Sequence, residues 1–506
     1  MTAGKSDLKV VVVGLGTMGR GIAQVFAEAD ADVAVVEHMD ANMDLLLQEL
    51  HASGLRTRVV RASLAEALID ADLVIEAIDE NMESKQALLT QISAHGTPSL
   101  VVASNTSSLS IAELGRAYGH PSQVVGLHFF NPPVRMPLVE VVRGPQTSAK
   151  TLDAVTTWIQ QAGKQAVQCT DSTNFIVNRI CRPFYYEAQL LLTQGVEPGA
   201  IDLVARRCLG HRVGPLETLD HSGLHTHLRS SETAERELGD RYRPIPVVRR
   251  LVRAGFTGKQ VGRGFYDYAV EQPRAARERL LQHAVGARRP LAVVGPGSAR
   301  YAGAGCVRVD PDIADLVVYV CDARPTDDDV RAVRALSASP SDLVVDSADG
   351  RWLHDLPAGV GWVHAHVNDS SVFVEVVDDE LAAVPITTGT HALLEAVGAD
   401  WVRVPALPGL IAERLQHILV NEAVTLVEEG VAEESDVDLA LKLGMNHSRG
   451  AFEYLADTGA STVVASLVSM QEGFGDTRYR PVARLLRLGA GESRPAQAEL
   501  SPTSIR

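Results

Sequence analysis

The sequence predicts an α/β protein: a doubly wound sheet followed by an all-α helical unit, with a degenerate second copy of both. Three observations carry this. From residue 9 to about 170, strand-like runs that are apolar throughout alternate with stretches of helical period, the pattern of a parallel sheet covered on both faces. From Phe175 to about Asp220 only the helical period remains. The segment NFIVNRICRPFYYEAQLLLTQGV (174–196) then recurs without gaps as GLIAERLQHILVNEAVTLVEEGV (409–431), and with one deletion the match continues from VGPLETL to SRGAFEYL.

Taken in order, the first sheet is expected to use Val10 to Val13, Val33 to Val36, Leu73 to Ile75, Leu100 to Ala103 and Val124 to Leu127. Gly262 to Tyr268 closes the first helical unit, and EQPRAARERLLQHAVGARRP reads as a charged linker. A second set of runs (Leu291 to Val294, Leu316 to Val320, Leu343 to Val345, Val372 to Val377) precedes the repeated helices, as if the alternating unit had been duplicated and eroded. The expected division is a sheet domain over 1–170, a helical domain over 171–270, a linker over 271–289, a degenerate sheet domain over 290–404, a second helical domain over 405–488 and a disordered tail over 489–506, rich in Pro, Ser and Ala.

Composition narrows the function. With 506 residues, 46% hydrophobic and 22% charged, the chain can bury cores without disulfides or metals. A net charge of −16 disfavours nucleic acid and anionic membranes, which require a basic face. The five cysteines are scattered with no CxxC pair, which fits a reducing cytoplasm. MTAGKSDLKVVVVGLG has too short an apolar run for a signal peptide, and no later run approaches about 18 apolar residues. The expectation is a cytoplasmic protein whose partners are small molecules or proteins.

VVVVGLGTMGRGIAQVF places Gly14, Gly16 and Gly19 directly after a strand and at the mouth of a helix. Gly14 permits the tight turn, Gly16 lets the backbone approach a pyrophosphate, and Gly19 allows close packing of helix on strand. The helix N-terminus faces the phosphate charge. Thr17 and Met18 lie in the same loop and count with the glycines as cofactor-binding. Glu37 stands eighteen residues after Gly19, at the end of VAVVE, where a carboxylate would bind both ribose hydroxyls and repel a 2′-phosphate. No arginine follows it immediately, so this Rossmann-like site favours NAD over NADP.

A buried-strand pattern in VVGLHFFNPPVRMPLVE is interrupted to place His128 and, twelve residues on, Glu140. A hydride leaves a secondary alcohol only if a base takes the hydroxyl proton, and neutral imidazole suits that near pH 7. A carboxylate on the other ring nitrogen fixes the tautomer and stabilises the imidazolium. The turn at Asn131 to Pro133 is expected to carry His128 out of the sheet while Glu140 returns on the next strand to meet it. The bland alternative is a hydrogen-bonded core histidine and a surface glutamate.

GLGTMGRGIA, VIEAIDE, SNTSSLSI, GLHFFNPP, LVEVV, NFIVNR and VGPLETLD, in this order and spacing, resemble the L-3-hydroxyacyl-CoA dehydrogenase family over about residues 8 to 268. The two-copy length resembles the tandem form, of 3-hydroxybutyryl- or 3-hydroxyadipyl-CoA dehydrogenase type. The resemblance implies a fatty-acid-type oxidoreductase acting on the (S) alcohol, with NAD as cofactor. His128 would be the general base and Glu140 its partner. Ser107 and Asn178 would hydrogen-bond substrate oxygen or cofactor, and Glu80, Lys85 and Asn131 would lie near the cofactor. For Ser107 the alternative is a helix cap, and for Glu80 and Lys85 a solvated helix pair.

The chain also departs from the family. The long helical hairpin that grips the nucleotide of coenzyme A has no room here, because only 34 residues separate Glu37 from Asp72, enough for a helix, a strand and a helix. A coenzyme A thioester held differently, a carrier-protein thioester and a free 3-hydroxy acid all stay open, as does a dinucleotide-binding scaffold or sensor without turnover. A dehydrogenase built on a catalytic lysine is disfavoured by the His128 and Glu140 pair. Pro137 replaces the lysine before LVEV, and the lysine expected before the final glycine loop of TGKQVGRGFY is displaced to Lys259, with Gln260 in its place. In the second copy Glu413 replaces Asn178, VVGPGS lacks the full glycine pattern and HAHVN (364–368) only loosely echoes HFFN, so this copy reads as silent. Its expected role is packing: it supplies within one chain the surface that pairs two subunits, making a monomeric pseudo-dimer, with a homodimer as the alternative. No metal site is assigned; His221, His225 and His227, and His364 with His366, lack companion ligands.

Overall fold

The computed structural model describes residues 8–37, 39–52, 59–286, 290–321, 325–338, 341–349, 357–367, 371–380 and 384–492. Contacts divide the chain into two compact units, Met1–Ile180 with Leu426–Asn446, and Cys181–Thr425 with His447–Arg506.

In the first unit, strands β1 (Lys9–Val13), β2 (Asp32–Val36), β3 (Val59–Arg61), β4 (Leu73–Glu76), β5 (Val101–Ser104), β6 (Val124–Phe129), β7 (Leu138–Arg143) and β8 (Gln165–Thr170) form one sheet. Their spatial order is β3-β2-β1-β4-β5-β6-β7-β8. Every neighbouring pair is parallel except β6 with β7. The Val-rich runs are strands because both faces are covered: all four valines of β1 are buried, and all residues of β4, β5 and β6 are too. Helices Thr17–Glu28 and Ala149–Gln161 pack Ile22, Phe26, Val155 and Ile159 into a core shared with Val10, Val12, Leu127 and Val139. Between Glu37 and Asp72 lie helix Asp40–Ala52, β3 and the single turn Leu64–Ala67. That stretch therefore holds no helical hairpin among its described residues.

The second unit repeats the topology. Strands β9 (Gln282–His283), β10 (Pro290–Val294), β11 (Val307–Arg308), β12 (Leu316–Val320), β13 (Asp342–Asp346), β14 (Gly361–Val367), β15 (Val372–Val377) and β16 (Asp400–Val404) run in the order β11-β10-β12-β13-β14-β15-β16-β9. β14 and β15 are antiparallel, as β6 and β7 are. The erosion is visible at the edge, where β11 keeps two residues and the helix after the glycine turn has shrunk to the 3₁₀ segment Ser298–Gly303.

Two boundaries differ from expectation. The stretch read as a charged linker is ordered over most of its length: Pro273–Leu280 is a helix and β9 pairs antiparallel with β16. Alternating Arg and Glu looked like a solvated tether, but Arg274 pairs with Glu278 one turn on, and Ala276 is buried where Gly199 allows close approach. Helix Ala483–Glu492 runs past the expected start of the tail, whose residues 493–506 lie outside those described. Among the described residues no helix is long and apolar enough to cross a membrane.

The helical repeats meet inside the second unit through reciprocal contacts. Tyr242 hydroxyl donates to Glu422, and Tyr479 hydroxyl donates to Glu187 (3.0 and 2.9 Å). His211 and His447 stack at 4.0 Å, both buried beside Phe184. Burial pushes His211 down to about 4 and His447 well below its ordinary value, the latter helped by the neighbouring His211. Both rings fold neutral, while the unfolded chain protonates them near ~6.5. Their contribution is intact above that value and is lost progressively as pH falls from ~6.5 towards about 4. Thermal melts from pH 8 to pH 4.5 are expected to show this decline, and H211F/H447F should flatten it.

Candidate active site

The glycine turn does what its spacing predicts. Gly14 has φ of 87° and a Cβ there would stand 2.9 Å from the Ala77 carbonyl oxygen. At Gly19 a Cβ would overlap the Gly14 carbonyl oxygen at 1.8 Å, so only glycine lets the helix sit this close. Gly16 faces open space: a Cβ there would meet no heavy atom within 4 Å, which is the opening a pyrophosphate needs. Thr17 begins helix Thr17–Glu28 and is exposed, while Met18 packs against the sheet core.

Glu37 directly follows β2 with its carboxylate turned back to the glycine turn. Oε2 accepts from the Leu15 N–H (2.9 Å) and Asn42 Nδ2 (3.0 Å), and Oε1 accepts from the Met39 N–H (2.9 Å). An arginine does reach this corner, although none follows Glu37 in sequence: Arg61, from β3, donates to the Glu37 carbonyl (2.9 Å) and to Asp40 (2.6 Å). Its charge is thereby engaged, and the acceptor set around Glu37 fits a ribose diol and the NAD form of the cofactor.

His128 and Glu140 face each other across β6 and β7 as direct register partners. His128 Nδ1 donates to Glu140 Oε2 at 2.6 Å, and both side chains are buried. The expectation that the turn carries His128 out of the sheet is corrected: His128 stays inside β6, and antiparallel pairing alone brings the two side chains together. The alternative of a surface glutamate is corrected too, since Glu140 is fully buried. Glu140 Oε1 accepts from the Ile176 (3.2 Å) and Val177 (2.8 Å) N–H groups at the start of helix Val177–Thr193. Phe130 and Phe175 pack on the imidazole at 4.6 and 5.8 Å. Among the described residues no hydrogen bond is made by His128 Nε2.

Two supports escaped the sequence. Asn105 Oδ1 accepts the Phe129 N–H (3.0 Å) and fixes the end of β6. Lys164 Nζ donates to the carbonyls of Pro133 (2.6 Å), Val134 (3.2 Å) and Met136 (3.0 Å), holding the turn that links β6 to β7. Burial lowers the Lys164 pKa, with Glu28 opposing. Asn105 lies within SNTSSLSI, but no motif announces Lys164. Asn131 is exposed in this turn.

Ser107 does not cap a helix; Ser110 does, for Ile111–Gly115. Ser107 instead gives its N–H (2.9 Å) and hydroxyl (3.2 Å) to Glu80 Oε1, which also accepts from Thr106 (2.7 Å). Burial works to raise the Glu80 pKa, yet Lys85 and these hydrogen bonds outweigh it and hold the group below the usual carboxylate range. Lys85 is not a solvated partner: its ammonium is buried on Glu76 (2.9 and 2.8 Å) and the Ile78 carbonyl (3.3 Å), 3.5 Å from Glu80. So placed it braces Glu80. Asn178 follows Val177 in the first turn of its helix, half-buried.

In the second unit the corresponding pieces are rearranged. Register pairs His364 with Glu375, yet Glu375 bonds His366 instead (2.9 Å) while keeping the Ile411 and Ala412 N–H groups. Arg300, at the position of the third glycine, donates to Asp346 (2.9 Å) and the Cys321 carbonyl (2.9 Å) and touches His364 (3.2 Å). Gly297 has no opening: a Cβ there would meet the Cys321 carbonyl oxygen at 2.5 Å. His227 is a core residue bonded to Arg182 and Gln189. No group of three His, Cys, Asp or Glu side chains among the described residues is arranged to hold a metal.

A glycine turn backed by an acid at the end of the next strand, on the same sheet as a buried histidine and its carboxylate, is the arrangement of a dinucleotide-dependent oxidoreductase. Residues 9–172 match the family described as 3-hydroxyacyl-CoA dehydrogenase, NAD binding domain, and residues 175–268 and 409–494 match 3-hydroxyacyl-CoA dehydrogenase, C-terminal domain. The chain is 30% identical to the 3-hydroxyadipyl-CoA dehydrogenase of Escherichia coli (strain K12), over 96% of this chain and 98% of that one. A probable 3-hydroxybutyryl-CoA dehydrogenase of Deinococcus radiodurans is 40% identical and matches 52% of this chain over its own full length. The crystal structure of 3-hydroxybutyryl-CoA dehydrogenase from Escherichia coli K12 superposes with a TM-score of 0.77 at 27% identity, covering 96% of this chain and 99% of that one. The chain belongs to the 3-hydroxyacyl-CoA dehydrogenase family and is an NAD-dependent dehydrogenase, which sets aside the reading as a scaffold without turnover.

Proposed function

We propose that the protein interconverts an (S)-3-hydroxyacyl thioester and its 3-oxoacyl form, with His128 as general acid and base. The observation that carries this is the 2.6 Å contact between His128 Nδ1 and Glu140. With Nδ1–H committed to the carboxylate, the lone pair sits on Nε2, the tautomer a base requires. In the oxidising direction Nε2 takes the hydroxyl proton, and Glu140 stabilises the imidazolium. In reduction the same proton returns to the oxygen. Bound NAD supplies the hydride acceptor at C3 of the substrate. Gly14, Gly16, Thr17, Met18 and Gly19 would hold its phosphates and Glu37 its ribose. Ser107, oriented by Glu80, and Asn178 would donate to the substrate oxygen and favour the charge that builds there. Asn131 would lie beside the cofactor.

Coenzyme A is the carrier favoured by the relatives' substrates. The short stretch between Glu37 and Asp72, without a helical hairpin among its described residues, favours a second reading in which a carrier-protein thioester or a free 3-hydroxy acid is accepted, since the usual grip on the nucleotide has little room there. The second copy would hold no dinucleotide, because Arg300 fills its glycine turn. Its helices would pair with those of the first copy in place of a second subunit, which the reciprocal Tyr242–Glu422 and Tyr479–Glu187 contacts support.

The test is NADH oxidation with acetoacetyl, longer 3-oxoacyl and 3-oxoadipyl groups, each on coenzyme A and on a carrier protein, beside a titration of NAD sites. Turnover on at least one thioester with one NAD per chain is expected. No NADH oxidation with any of them would remove the proposal.

A further inference from the structure

Residues 426–446 belong by sequence to the second copy, yet they pack with the catalytic sheet. The Thr170 N–H, at the end of β8, donates to the Val431 carbonyl (2.9 Å). Buried Arg179, one residue after Asn178, pairs with Glu429 at 2.7 Å. Helix Glu434–Gly444 then lies against β7 and β8, with Val437, Ala440 and Leu441 fully buried.

The last residue of that helix reaches the catalytic pair. A Cβ at Gly444 would stand 2.8 Å from Leu138 Cδ2 and 3.0 Å from Val177 Cγ2. Leu138 lies two residues before Glu140 on the same face of β7, and the Val177 N–H is the 2.8 Å donor to Glu140 Oε1. Both neighbours are buried and Val177 is β-branched, so neither can swing aside; a larger residue must move β7 or the helix start. We infer that Gly444, from the second copy, is a positioning residue for Glu140 and through it for His128. This rests on reading His128 and Glu140 as the proton-transfer pair. The second copy thus has a task in the reaction although it has lost its own site: it closes the back of the sheet at the strand that carries the carboxylate.

The experiment uses the full chain with Gly444→Val and the smaller Gly444→Ala, whose methyl makes the same first contact. Displacing the Val177 N–H from Glu140 leaves more negative charge facing His128, which holds the imidazolium more firmly. The expected result is a kcat lower by about 10- to 100-fold, since displacements near 1 Å cost up to about that much. KM for NAD should be unchanged, and the acid limb of the pH–rate profile for alcohol oxidation should move to higher pH. Adding Val177→Ala, which keeps the backbone N–H and removes the 3.0 Å contact but not the one to Leu138, should restore both in part. A role in stability alone would lower the melting temperature but leave kcat per folded molecule and the profile as in the parent. That outcome, or a lowered kcat with an unmoved profile, overturns the inference. Running His128→Gln in parallel separates the two ideas: an active His128→Gln enzyme removes the underlying reading, whereas an inactive one beside a normal Gly444→Val removes only the role of Gly444.

Discussion

His128→Gln is expected to lower kcat for NADH oxidation by 3-oxoacyl thioesters by about 10²- to 10⁴-fold, the range that a positioned general acid or base contributes. Glutamine fills much of the same space and can still donate an N–H to Glu140, so the sheet should fold and melt as the parent does. It cannot take or return a proton. KM for NADH should stay within about twofold, because the glycine turn and Glu37 lie at β1 and β2, away from β6. Glu140→Gln is the informative companion. It keeps the acceptor for Val177 N–H at one oxygen but presents a neutral amide to Nδ1, so the tautomer and the imidazolium both lose support. A smaller but still large loss in kcat should follow, again with KM for NADH little changed. Steady-state kinetics with acetoacetyl-CoA and stopped-flow NADH binding check both. A kcat for His128→Gln within about threefold of the parent would mean that another group moves the proton.

Much of this site was legible because its parts are local in sequence. The glycine spacing and Glu37 sit on one β-α-β stretch, and strand alternation with a turn of fixed length sets His128 opposite Glu140. The reading misjudged how the pair meets, since it gave the turn work that strand register already does. What stayed hidden depends on distant residues. Lys164 binds carbonyls some thirty residues earlier, and carbonyl acceptors leave no mark on a sequence. Arg61 reaches Glu37 through strand order. For Lys85 the sequence leaves a cofactor contact and a solvated helix pair both open, because periodicity does not reveal that Glu76 waits at the end of the adjoining strand. The linker misreading has the same origin: a short, charged helix becomes stable only through tertiary contacts. The repeat was plain and packing between its copies was expected, but which residues pair, Tyr242 with Glu422 and Tyr479 with Glu187, was not, because identical pairings within each copy would leave the same sequence pattern.

Those exchanged contacts carry the largest expected effect on stability. Arg414, from the second helical repeat, is buried with its guanidinium on Glu187, from the first, on Gln194 Oε1 (2.6 Å) and within 3.3 Å of the Tyr479 hydroxyl. Tyr479 in turn donates to both carboxylate oxygens of Glu187. The pair is sealed from water, so its Coulomb attraction is offset by the desolvation of two ions, and its net worth over an apolar pair is small. Removing one member is different. Arg414→Met leaves Glu187 as a buried charge with only a phenol to answer it, and a cost of about 3–5 kcal/mol is expected. The double variant Glu187→Leu/Arg414→Met should recover most of the loss. Urea unfolding of the parent and the two variants measures this, and equal destabilisation by the single and double variants would show that packing of the long side chains, rather than charge, holds the repeats together.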